Sequence, residues 1–168
     1  MPTETLISVE EYLATSYRPD VDYIDGRIEE RNLGEWDHGN LQMRISAYLF
    51  SRRKQWGISV APEVRVQVGP ARFRVPDITV VLGEPDEQVL TKPPFLCIEI
   101  LSPEDRMSRV EQRIDDYLQM GVPYVWLLEP QMRRVYIATK ADGLREFKGE
   151  VLRTENPALE VPLSEIFE

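Results

Sequence analysis

The sequence predicts an α/β (α+β) protein, a mixed β-sheet flanked by helices. Three observations carry this. Short apolar runs of strand length recur at residues 63–68, 74–82, 95–101, 124–128 and 133–139. Between and before them lie stretches of helical character, residues 38–55 and 106–120. Strands and helices therefore alternate along the chain, an order that buries each sheet face against a helix layer.

The elements follow in order. Ser8 is a good N-cap and Glu11, three residues on, completes a capping box, so a short helix runs to about residue 16. Residues 21–30 read as a hairpin whose turn is Asp25-Gly26. Asp37 is placed to cap the next helix, in which Leu41, Ile45, Tyr48 and Leu49 recur at helical spacing before Gly57 ends it. Residues 63–68 alternate, with Val64, Val66 and Val68 on one face, while 74–82 and 95–101 are apolar enough to be buried strands. The helix at 106–120 stops at Gly121, ahead of Val122-Pro123. Two strands and a short terminal helix at 163–167 complete the chain.

Length and composition narrow the function classes. A chain of 168 residues is expected to form one domain with a substantial core. It is 42% hydrophobic and 29% charged, ordinary for a globular protein, and no apolar stretch reaches membrane-spanning length. Residues 1–5 lack the basic start and apolar centre of a signal peptide, so a cytoplasmic protein with no membrane partner is expected. The single cysteine, Cys97, excludes an intrachain disulfide and a cysteine-based zinc site, and the single histidine, His38, excludes a multi-histidine centre. Any metal must then be held by oxygen, which points to magnesium or manganese. The net charge of −9 argues against general coating of nucleic acid, although a local basic rim and a bound cation can dominate the field near a site.

Two acidic residues stand out. Glu99 sits in the middle of the apolar run Phe95-Leu96-Cys97-Ile98-Glu99-Ile100-Leu101, and Asp77 opens Asp77-Ile78-Thr79-Val80-Val81-Leu82. A carboxylate buried in a strand is costly unless a partner or a metal compensates it. Two of them on consecutive core strands suggest a divalent-metal site.

Around these residues the chain carries an ordered set of short motifs: Glu-Glu-Tyr-Leu at 10–13, Ile-Asp-Gly at 24–26, His38-Gly39, Pro-Glu-Val-Arg-Val at 62–66, Arg-Val-Pro-Asp at 74–77, Glu-x-Leu-Ser-Pro at 99–103, Tyr-x-x-x-Gly-Val at 117–122 and Tyr-x-Trp-Leu at 124–127. Together they resemble the Uma-type restriction endonuclease family of the PD-(D/E)XK nuclease superfamily, over nearly the whole chain. The resemblance implies a single restriction-endonuclease-like domain spanning 1–168, built on a βββαβ core, with the N-terminal helix and hairpin at 6–30 as a family-specific extension. It implies a magnesium- or manganese-dependent endonuclease that hydrolyses phosphodiester bonds, in DNA above all. Asp77, Glu99 and the main-chain carbonyl of Ile100 would hold the ion, and Glu63 would orient a water from the neighbouring strand.

One departure from the pattern concerns the superfamily lysine. Its position two residues after Glu99 is Leu101, and the helix position to which the family moves it is Arg113. Arginine keeps the charge and can grip a phosphate oxygen but is a poor base. Gln112 beside it can hold a water, and Arg109, one turn earlier, shares its face. His38 is a further candidate, through the His-Gly motif. The alternative reading is a catalytically degenerate nuclease fold that binds nucleic acid or protein without turnover. Under either reading a homodimer is expected, with residues 6–30 or an exposed edge strand at 133–139 as candidate interfaces.

Overall fold

The computed structural model describes residues 5–32 and 34–167. The reading of the N-terminus as leaderless falls on residues 1–4, outside the described residues, and on Thr5. Among the described residues no helix is long and apolar enough to cross a membrane.

The chain opens with α1 (Val9–Ala14), β1 (Val21–Ile24), β2 (Arg27–Glu30), α2 (Trp36–Ser51) and α3 (Arg53–Trp56). Five strands follow: β3 (Ile58–Pro62), β4 (Val66–Gly69), β5 (Arg72–Arg74), β6 (Ile78–Leu82) and β7 (Leu96–Ile100). Then come α4 (Met107–Met120), β8 (Tyr124–Glu129), β9 (Arg134–Thr139), β10 (Gly143–Phe147), β11 (Val151–Arg153), β12 (Glu160–Pro162) and α5 (Leu163–Ile166).

Local chemistry explains most boundaries. Ser8 caps α1, its Oγ accepting the Glu11 N–H at 3.1 Å. Asp25 and Gly26 both take positive φ, the requirement of a two-residue hairpin turn that matches strand twist. Gly121 ends α4 in the left-handed conformation, at φ 109°. The cap of α2 differs from expectation: Glu35 occupies the N-cap, and Asp37 lies inside the first turn, where it favours the helix dipole.

Three sheets form. The large one, ordered β10-β9-β8-β7-β6-β3, is mixed: β3, β6 and β7 run as an antiparallel meander, α4 crosses over, and β8 returns parallel to β7. This is the expected βββαβ arrangement, with a correction to its first strand. That strand is β3, not residues 63–68, whose C-terminal part joins the smaller sheet β2-β1-β5-β4. The expected strand 74–82 also splits. Val75-Pro76-Asp77 carries the chain from the smaller sheet into the larger, because Pro76 has no N–H to offer a ladder. The segment expected as an exposed edge, 133–139, is interior: β9 pairs with both β8 and β10. Residues 143–147 gave no apolar alternation from which β10 could be read.

The large sheet is covered on both faces. Leu96, Ile98 and Ile100 of β7 join Leu41, Ile45 and Leu49 of α2 in one core. Cys97, on the opposite face by the two-residue period of a strand, packs with Val110, Ile114 and Tyr117 of α4. Burying each such aliphatic side chain is worth about 1.5–3 kcal/mol. A third cluster, Tyr12, Val21, Tyr23 and Phe73, holds α1 on the small sheet, so much of the 6–30 region is packed into the protein's own core.

A buried ion network joins the small sheet to α4. Arg74, fully buried, donates to Asp22 on β1 at 3.0 Å, Glu29 on β2 at 3.2 Å and Asp116 on α4 at 2.8 Å. Arg72 adds a second bond to Asp116 at 3.0 Å. These bonds fix the rotation of α4, and with it the direction in which Arg113 points.

Candidate active site

The period-two rule puts Glu99 on the same face of β7 as Cys97, facing α4. Asp77 stands where the chain enters the adjacent strand. Both are buried. They line one small cleft with Arg31, His38, Ile100 and Arg113, to which Asn32, Ser102 and Asp105 form the rim.

Each carboxylate is held by several donors. Asp77 Oδ2 accepts the Ile100 N–H at 2.7 Å. Asp77 Oδ1 accepts from Arg31 Nη2 at 2.8 Å and lies 3.3 Å from His38 Nε2. Burial alone would raise the Asp77 carboxyl, but the His38 bond, the Arg31 charge and the Ile100 N–H hold it below the ordinary carboxylate value. The same contact acts on His38, where burial favours the neutral ring and the Asp77 bond and charge outweigh it, so its pKa is raised.

Glu99 behaves differently. Its Oε1 accepts the Tyr117 hydroxyl at 2.5 Å and lies 3.9 Å from Arg113 Nε. Burial, reinforced by the charge of Asp77, pushes its carboxyl up to about 7 against the pull of Arg113, Arg31 and the Tyr117 bond. Two carboxyls of one cleft with pKa values displaced in opposite directions mark a candidate functional centre.

Arg113 sits between Glu99 and Asp105, 3.9 Å from each. Those distances are too long for hydrogen bonds. Its Nε is buried and has no hydrogen-bond partner, so the guanidinium that lines the cleft carries an unsatisfied donor. Asp105 is itself positioned by the Ser102 N–H at 2.7 Å and by Asn32 Nδ2 at 2.8 Å.

The other expected residues are less central. Glu63 follows β3 at positive φ, about half exposed, and meets the site through Arg31 Nη1 at 3.5 Å. Gln112 is exposed on α4 and does not line the cleft, because residues 112 and 113 of a helix face different directions. Arg109 is also exposed and lines the neighbouring groove with Glu30, Glu104, Arg106 and Arg113.

The sequence reading missed Arg31, Asp105 and the bond from Tyr117. Tyr117 was within reach of pattern reasoning, since it stands four residues after Arg113 and so on the same helix face. Arg31 carries no local signal; its partner Asp77 is 46 positions away.

The donor set suits a hard divalent cation on one condition. Among the described residues no three His, Cys, Asp or Glu side chains are grouped closely enough to hold a metal ion by themselves. A third protein ligand must come from the backbone, and the register offers one. Ile98 pairs with Ile78 across β7 and β6, so the next in-phase pair would be Ile100 with Pro76. Proline has no N–H, and this ladder therefore supplies no donor to the Ile100 carbonyl. Two carboxylates and one carbonyl, all oxygen, fit magnesium or manganese with water in the remaining positions. Arg31 and His38 would have to share or yield Asp77 Oδ1.

A model of the family described as "Uma2: Putative restriction endonuclease" matches residues 9–167. No curated protein matches the chain. Among solved structures, the chain is similar to "a putative nuclease belonging to DUF820" from Anabaena variabilis ATCC 29413. The two share 24% identity and superpose with a TM-score of 0.81, over 96% of this chain and 97% of the other. At that identity the likeness shows the shared fold. The family match spans nearly the whole chain, and the protein belongs to the Uma2 family.

Proposed function

We propose that the protein is a metal-dependent nuclease that hydrolyses phosphodiester bonds in DNA and works in the cytoplasm. The observation that carries this reading is one cleft holding two buried carboxylates of opposite pKa displacement beside a buried, unbonded arginine donor. The family's restriction-endonuclease description supports the choice of DNA.

Asp77, Glu99 and the Ile100 carbonyl would hold magnesium or manganese. The bound ion supplies charge neutralisation at the phosphate and a more acidic water. The protein's own residues supply the rest. The Arg113 guanidinium donates to a non-bridging phosphate oxygen and stabilises the charge that builds as water attacks phosphorus and the leaving oxygen departs. Arg113 keeps its proton throughout: burial alone would lower its pKa, but the charge of Glu99 and its acidic neighbours raises it further. Tyr117 fixes Glu99, while His38 and Arg31 fix Asp77.

A second reading, a nuclease fold that binds without turnover, draws on the 2.8 Å Arg31–Asp77 ion pair, which competes with a cation for the same oxygen. Supercoiled plasmid, linear duplex and single-stranded DNA, each incubated with magnesium or manganese, distinguish the two. Metal-dependent cleavage lost in Asp77→Ala and Glu99→Gln is the expected result. A wild type that binds DNA and cleaves none of these would replace the enzyme with the binding module.

A further inference from the structure

The outward face of α2 carries an apolar stripe beside its exposed polar residues Asp37, Asn40 and Ser51. Leu41, Ile45 and Leu49 are buried on its inner face. On the opposite side Trp36 is 82% exposed, Met43 67% and Phe50 52%. The other surface helix of similar length, α4, shows the usual pattern: beyond Met107, its exposed positions Ser108, Arg109, Glu111, Gln112, Asp115 and Gln119 are all polar. A helix that is apolar on both sides is normally covered on both sides.

The stripe is symmetric about Met43. Trp36 and Phe50 stand seven positions before and after it, and Gly39 and Ala47 stand four positions before and after it. All five are exposed. The order is aromatic, small, Met, small, aromatic, which reads the same in both directions. A Cβ placed on Gly39 would meet nothing within 4 Å, so another helix can approach closely there. Charge is arranged the other way, with opposite signs at the two ends. Glu35 and Asp37 flank the N-terminus, and Arg52, Arg53 and Lys54 flank the C-terminus. Arg53 also stacks on the Phe50 ring, 3.8 Å from its centroid.

A surface with palindromic shape and antisymmetric charge complements itself. We propose that this face binds a second copy of the chain, α2 against α2, antiparallel about a two-fold axis through Met43. Trp36 of each copy then packs against Phe50 of the other, and Gly39 against Ala47. The acidic end of each helix meets the basic end of its partner, and the two helix dipoles oppose. This replaces both interfaces expected from sequence, since much of the 6–30 region is packed internally and β9 is interior.

The experiment is sedimentation of the full chain at micromolar concentration, with cysteine variants as a ruler. The native Cys97 is fully buried and adds no background cross-link. Wild type should sediment as a dimer. Met43→Asp puts two like charges on the axis and should raise the dissociation constant about tenfold or more. Met43→Cys should cross-link to itself on oxidation. Phe50→Cys should not, because the two copies of position 50 lie about 21 Å apart along the axis, far beyond disulfide reach. A mixture of Trp36→Cys and Phe50→Cys proteins should cross-link. A monomeric wild type overturns the proposal, including the case in which Met43→Asp instead weakens DNA binding. So does a dimer indifferent to Met43→Asp, and self-cross-linking of Phe50→Cys overturns the antiparallel arrangement.

Discussion

Replacing Glu99 by glutamine should stabilise the metal-free protein above neutral pH. The reasoning is linkage. The Glu99 carboxyl has an ordinary value near 4.5 and is raised to about 7 in the folded protein. The folded state therefore holds the proton more tightly than the unfolded chain. The stability this confers is fully present below about 4.5 and is lost as pH rises through about 7. Each pH unit in that window removes about 1.4 kcal/mol, about 3 kcal/mol in all. Glutamine resembles the protonated carboxyl, can accept the Tyr117 hydroxyl, and never ionises. In EDTA, urea denaturation at pH 5 should find Glu99→Gln and wild type within about 1 kcal/mol, whereas at pH 8 the variant should be ahead by a few kcal/mol. Wild-type stability should fall between those values while that of Glu99→Gln stays flatter. Equal stabilities at pH 8, or a gap that does not close at pH 5, would refute the claim that burial destabilises the ionised form of Glu99.

Three further outcomes follow from the geometry. Arg74→Met leaves Asp22 buried without its principal cation, and the midpoint of chemical denaturation should fall by the equivalent of about 3–5 kcal/mol; a loss under 1 kcal/mol would show that the network is dispensable. Pro76→Ala restores an N–H opposite Ile100, so calorimetry should record weaker manganese binding with little change in melting temperature, and unchanged affinity would remove the Ile100 carbonyl from the ligand set. Arg113→Lys restores a group able to exchange a proton, and single-turnover cleavage should accelerate about tenfold or more, whereas a slower variant would show that the arginine fork is the better fit.

Much of this was legible in the sequence, for reasons that differ residue by residue. Asp77 and Glu99 announced themselves because a carboxylate in an apolar strand contradicts its surroundings, and the structure places them in one cleft. Gly121 and the Asp25-Gly26 turn were legible because only certain residues tolerate their backbone conformations. The division of 74–82 between two sheets was not. Pro76 marked a ladder defect, but nothing local tells a defect from a change of sheet. β10 escaped because Gly143-Leu144-Arg145-Glu146-Phe147 lacks a buried face to enforce alternation. Arg31 escaped because its identity as a site residue resides wholly in a contact made by folding. Gln112 shows the converse, since a residue adjacent in sequence to Arg113 faces another way on a helix.

The scattered origin of the cleft governs when it can exist. Its bonds join residue 31 to 77, 77 to 100 and 99 to 117, and the Arg74 network that aims α4 joins 22 to 74 and 74 to 116. None of these contacts is local, and loop closure makes distant pairings late events in folding. A chain emerging from the ribosome carries Asp77 well before α4 is available to complete the centre. Incomplete chains, and folded chains that have lost the docking of either sheet, lack the assembled cleft. Long-range assembly thus acts as a built-in delay between synthesis and a completed cleft.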